Sequence, residues 1–190
     1  MTNISSLDSK LLSRKDCVLV IIDVQEKLMP AIAEGTKTTN NLVVLLNFVR
    51  HIGLPVILTE QQKLGATMTK IIALVPNVQP ILKWEFNCFA CGDFYARLNQ
   101  LGKNSLLICG VETHICIAQT ALHALPAYTV HVISDATSSR SLHNRSIALE
   151  RLRESGAIIT TTEMLIYELL EKANSDEFKA VLPLIKQIQS

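Results

Sequence analysis

Three side chains stand where the pattern of the sequence makes chemistry possible. Asp23 closes the apolar run VLVII, which puts a carboxylate at the carboxyl end of a buried strand. There it either does acid–base work or caps the segment that follows. Cys116 ends the segment CGVETHIC, which begins at Cys109, and is followed by the helical run IAQTALHAL. A thiol in the first turn of that helix meets free backbone N–H groups and the positive end of the helix dipole, which favour a thiolate and suit a nucleophile. Cys17 and Cys109 lie inside apolar strands and read as core, the usual fate of a free cysteine. Lys83 follows PIL and precedes WEFNCF. A lysine in so apolar a setting either snorkels out to water or meets a carboxylate or thiolate.

These residues need a scaffold that gathers strand ends. Short β-branched apolar runs alternate with longer segments of helical period, the pattern of parallel strands joined by crossover helices. Strands are expected at about 17–23, 55–59, 80–83, 105–109, 129–134 and 157–160, and helices near 38–51, 92–101, 113–124, 139–154 and 162–172. Runs such as CVLVII lack polar alternation, as strands covered on both faces do. In an open parallel sheet ligands bind beyond the carboxyl ends of the strands, where the strand order reverses. From Ser175 a short capped helix is expected, with Asp176 and Glu177 in its first turn and Pro183 kinking or ending it. Its apolar residues Phe178, Leu182 and Ile185 would dock in the same chain or across a dimer.

Composition narrows the function classes. At 190 residues the chain fits one domain over 1–190. Lys plus Arg number 18 against 17 for Asp plus Glu, a formal net charge of +1, so nucleic-acid and anionic-membrane binding have no electrostatic support. No apolar run approaches the ~20 residues that span a bilayer, and the N-terminus has no signal layout, so a cytoplasmic protein is expected. Five Cys form an odd, sparse set, as reduced thiols do. A hydrophobic content of 48% suggests apolar surface covered by further subunits, a homo-oligomer.

The motifs VLVIIDVQEKL around Asp23, LTEQ at 58–61, ILKWEFNCF around Lys83, ICGVETHICIAQTAL around Cys116 and VISDATSSRS at 132–141 resemble the isochorismatase-like cysteine hydrolase family from about Lys15 to Glu171. Within it the chain is most similar to the isochorismatase domain-containing subgroup, rather than to the nicotinamidases. The resemblance implies a Rossmann-like α/β fold, an open parallel six-stranded sheet of order 3-2-1-4-5-6 with helices on both faces. It implies Asp23, Lys83 and Cys116 as the catalytic set, and a non-proline cis peptide at Val111–Glu112 with the N–H groups of Glu112 and Cys116 as oxyanion hole. Substrate contacts would come from Gln25, Glu60, Val111 and Thr113. The expected reaction is hydrolysis of a small amide or related carbonyl compound through a thioester, with no cofactor. Members that cleave isochorismate lack the cysteine, so Cys116 points to the amidase-like branch.

Two features limit the carry-over. Nicotinamidases of this family hold a metal through Asp and His after the second strand, but here Thr59-Glu60-Gln61-Gln62-Lys63 offers no imidazole, so no metal is expected. The five His show no paired ligand spacing. Cys88 and Cys91 form a lone C-x-x-C, without the second pair of a zinc site or the early strand-to-helix setting of a thioredoxin-like motif. A thiol-redox protein using Cys116 with Cys88 or Cys91, and a non-catalytic oligomeric binding protein of the same fold, remain the rival readings.

Overall fold

The first strand, β1 (Cys17–Ile22), is buried along its whole length, and its two faces enter two different cores. Cys17, Leu19 and Ile21 point into one cluster, and Val18, Val20 and Ile22 into the other, as the two-residue period of a strand requires. The computed structural model describes residues 11–189. The other strands are β2 (Val56–Gln61), β3 (Ile81–Lys83), β4 (Ser105–Val111), β5 (Thr129–Ser138) and β6 (Ile158–Thr160). They form one sheet of order β3-β2-β1-β4-β5-β6, parallel at every pairing.

Helices α1 (Gly35–His51), α6 (Thr162–Leu170) and α7 (Asp176–Ile185) cover one face, supplying Leu42, Leu45, Phe48, Leu165, Leu169 and Val181 to its core. On the other face lie α3 (Gly92–Leu101), α4 (Ala118–Ala124) and α5 (Leu142–Glu154), with Phe94, Leu98, Ala121 and Leu152. Each fully buried aliphatic side chain contributes roughly 1.5–3 kcal/mol relative to exposure. A one-turn helix, α2 (Thr69–Ile72), lies between β2 and β3. No helix among the described residues is long and apolar enough to cross a membrane.

The strand order reverses at β1, which pairs with β2 on one side and β4 on the other. Ile22 is level with both Thr59 and Gly110, so the carboxyl ends of β1, β2 and β4 open into one crevice. Two strands run further than the sequence suggests. β4 continues through Gly110 to Val111 and β5 through Thr137 to Ser138, paired after a register shift between Ile108 and Gly110. The C-terminal helix α7 docks within its own chain. Ser175 caps it by accepting from the Phe178 N–H, Val181 and Ile185 join the α1–α6 core, and Pro183 sits inside the helix without ending it.

Candidate active site

Asp23 follows Ile22 with φ of +55°, a left-handed conformation that aspartate tolerates better than most residues at a cost of about 1–2 kcal/mol. The chain therefore turns off the sheet at the crevice, and the carboxylate stays inside, 1% exposed. One oxygen, Oδ1, accepts from the Thr59 hydroxyl at 2.7 Å. The other, Oδ2, accepts from Lys83 Nζ at 2.7 Å.

Lys83 ends β3 and is also 1% exposed, so it does not snorkel. Its ammonium donates to Asp23, to Gln61 Oε1 at 2.8 Å and to Cys116 Sγ at 3.8 Å, so each of its three protons has an acceptor. Burial works to lower its pKa, but the negative partner Asp23 and the thiols of Cys116 and Cys88 outweigh that, and the net shift is upward. The lysine is held as a cation.

Cys116 lies in a π-helical turn, Thr113–Ile117, that leads into α4, rather than in the first turn of a regular α-helix spanning 113–124. It is 6% exposed. The sequence suggests a thiolate here; the site favours the thiol instead. Burial raises the Cys116 pKa, Asp23 raises it further by its charge and by hydrogen bonding to the thiol, and Lys83 opposes both. Cys88, in the 3-10 turn Cys88–Ala90, lies close enough to be felt by both Lys83 and Cys116. Burial pushes its own thiol up to about 11, and its N–H donates to Thr120 Oγ1 at 3.0 Å. Cys91 instead turns its thiol to the Leu82 carbonyl. Among the described residues no group of three or more His, Cys, Asp or Glu is arranged to hold a metal ion.

The segment after β4 is tied to the end of β5. The Val111–Glu112 peptide is cis. The Glu112 carboxylate accepts from the Arg140 N–H at 2.7 Å and from Arg140 Nε at 3.1 Å. Thr113 Oγ1 lies 3.2 Å from Thr137 Oγ1, which donates to the Gly110 carbonyl at 2.8 Å. His114 Nδ1 is 2.9 Å from Ser139 Oγ.

Three of the four residues expected to contact substrate make side-chain hydrogen bonds within the protein. Gln25 is fully buried, and its amide is consumed by backbone: Nε2 donates to the Gln61 and Gly65 carbonyls, and Oε1 accepts from the Gln61 N–H. It braces the end of β2. The Thr113 hydroxyl is likewise paired with Thr137. Glu60 turns its Oε1 to the N–H and hydroxyl of Thr67, and Val111 is a buried strand residue. The residues that the sequence left unmarked are Thr59, Gln61 and Arg140. Thr59 and Gln61 share one side of β2 by the two-residue period, and the pairing Gln61↔Lys83 would have singled out Gln61 over Glu60, but strand register is not visible in one sequence.

The Isochorismatase domain family matches residues 17–164. The secreted isochorismatase effector Isc1 of Phytophthora sojae is 38% identical over 183 residues, 90% of this chain and 84% of the relative. Isochorismatase domain-containing protein 2 of Danio rerio is 36% identical over 178 residues, 92% and 89% of the two chains. Among solved structures, YcaC from Pseudomonas aeruginosa with hexane-2,5-diol and covalent acrylamide superimposes with a TM-score of 0.87 at 26% identity, covering 94% of this chain and 93% of that one. With the family's domain spanning most of its length on the same six-stranded sheet, the chain belongs to the isochorismatase family.

Proposed function

We propose that this chain is a cysteine hydrolase that cleaves a small amide or related carbonyl compound through a thioester on Cys116. The observation that carries the reading is the convergence of one carboxylate, one ammonium and one thiol at the reversal of the sheet, with Lys83 Nζ 2.7 Å from Asp23 and 3.8 Å from Cys116. A raised thiol pKa fits a nucleophile that rests protonated and gives up its proton only as it attacks. YcaC, on the same fold, holds covalent acrylamide, an electrophile that captures nucleophiles through its alkene, which supports a reactive nucleophile on this fold.

In this mechanism Asp23 takes the thiol proton while Sγ attacks the carbonyl carbon. Lys83 offsets the negative charge as it passes from carboxylate to sulfur and back. The N–H groups of Glu112 and Cys116 receive the oxyanion. Collapse of the tetrahedral intermediate breaks the C–N bond, and the amine leaves with the proton from Asp23. Asp23 then deprotonates a water that attacks the thioester, and the released sulfur regains the proton as the acid departs. The sum is amide plus water giving acid plus amine.

A panel of small aliphatic and aromatic primary amides, scored by ammonia release, tests the reading. At least one should turn over, with an acyl adduct on the Cys116 peptide after acid quench, and Cys116→Ala should lower the rate on the order of a thousandfold or more. Turnover that survives Cys116→Ala would remove the nucleophile. An inert panel together with rapid peroxide oxidation of Cys116 to a disulfide with Cys88 or Cys91 would favour the thiol-redox alternative.

A further inference from the structure

The cation of the site has a support that the mechanism above does not use. Gln61 Oε1 accepts from Lys83 Nζ at 2.8 Å, while Gln61 Nε2 donates to the Trp84 carbonyl at 2.8 Å. The chemistry fixes this orientation, because a flipped amide would set an NH2 group against an ammonium and an oxygen against a carbonyl. The backbone of Gln61 is held on both sides by Gln25, whose Oε1 accepts its N–H at 2.8 Å and whose Nε2 donates to its carbonyl at 2.9 Å. β2 and β3 add a further tie where the Gln62 N–H donates to the Lys83 carbonyl at 2.9 Å. Gln61 is thus a rigid acceptor, clamped at backbone and side chain, for a buried cation.

An ammonium has three protons in a fixed tetrahedral arrangement. Asp23 and Gln61 occupy two of them, which directs the third at Cys116 Sγ. Without Gln61 the lysine could rotate about its terminal bonds and aim that proton elsewhere. An amide is also the right chemistry for this place: a neutral acceptor locates the charge without cancelling it, whereas a second carboxylate would share it. We infer that Gln61, braced by Gln25, is a positioning residue that holds the Lys83 ammonium against the Cys116 sulfur and so sets how readily the thiolate forms.

This inference rests on the cysteine-hydrolase reading, and its test separates the two. The readout is the rate at which iodoacetamide alkylates Cys116 in the full chain, followed by peptide mapping from about pH 6 to about pH 10, below the midpoint of a thiol raised by burial, where the rate follows the thiolate fraction and rises about tenfold per pH unit. The ionisable groups facing the sulfur are Asp23 just after β1, Lys83 from β3 and Cys88 from the 3-10 turn, and none of them is itself substituted in a Gln61 variant.

Gln61→Leu, which removes the acceptor, should displace the profile upward by about one pH unit, close to tenfold slower alkylation at a fixed pH below the midpoint. Gln61→Met is neutral, unbranched and of similar volume, so it removes the acceptor without adding a charge and should also move the profile upward. A purely structural role would leave the profile of a well-folded Gln61→Met protein in place. Lys83→Gln serves as the reference. If it shifts the profile and both Gln61 variants overlay the parent, Gln61 does not act through Lys83 and the inference is overturned while the hydrolase reading stands. If Lys83→Gln also overlays the parent, Lys83 does not govern the thiol, and both fall. Should Gln61→Leu fail to fold, Gln61→Met alone decides.

Discussion

At the scale of single residues, the site rests on a buried ion pair whose charges are matched only while both partners are present. The side chains of Lys83 and Asp23 are 0% and 1% exposed, so neither charge has recourse to water. Removing one partner of such a pair typically costs about 3–5 kcal/mol, because the survivor stays buried and uncompensated. Lys83→Met should therefore lower stability by roughly that amount in urea unfolding, and the double variant Asp23→Asn with Lys83→Met should regain most of the loss although it lacks both charges. A double variant no more stable than the single one would mean that the pair is not the source of the cost. The three central residues stood out by type, an acid closing an apolar strand, a lysine in an apolar stretch and a cysteine after a glycine turn, but each also had a structural reading, and the family resemblance is what gathered them into one set. Gln61 was not marked, and Gln25 was expected only as a substrate contact, since the bonds they make to Gly65 and Lys83 depend on register and turn geometry.

At the scale of elements, the crevice depends on how closely β4 can approach β1. Gly110 has φ of +107°, outside the range that side chains adopt readily, and a Cβ added there would run into the Ile22 carbonyl oxygen and backbone. Both faults act on the strand that delivers the Cys116 loop. Gly110→Ala should cost several kcal/mol, about 3 or more, read as a lower melting temperature or loss of soluble protein. Gly92, where an added Cβ would meet nothing within 4 Å in the first turn of α3, is the control, and Gly92→Ala should be neutral or stabilise by about 0.5–1 kcal/mol. Equal effects at the two positions would show that close packing of β4 on β1 is not what Gly110 provides. The sequence located all six strands but ended β4 at Cys109 and β5 at Ser134. A glycine and the polar run DATS carry the marks of a loop, and they become strand only because Gly110 pairs with Thr137 and Val111 with Ser138.

At the scale of the whole molecule, the two-faced strands declared a doubly covered parallel sheet, whereas the neighbours of each strand could not be read from periodicity and came from family resemblance. The burial that makes the fold also traps one group at odds with it. His131 sits in β5, 1% exposed, and neither of its ring nitrogens has a hydrogen-bond partner among the described residues. Burial lowers its pKa, with the charge of Glu168 from α6 opposing, so folding holds the imidazole neutral at a pH where the unfolded chain would already protonate it. Between the ordinary value near 6.5 and the lower folded value, the unfolded state binds the extra proton, and stability must fall as pH falls through that window. The acid loss from the Arg14–Glu177 pair lies lower, because Glu177 is depressed from an ordinary value of 4.5 by its hydrogen bonds to Arg14, and that contribution disappears only below about pH 4.5. The two windows are separable. Urea midpoints between about pH 7.5 and about pH 5 should decline for the parent chain, and His131→Leu, which fills a similar space without a titrating ring, should flatten the decline in that range while leaving the loss below about pH 4.5 in place. A slope in His131→Leu equal to the parent's would assign the acid sensitivity to other groups and leave His131 as an inert part of the core.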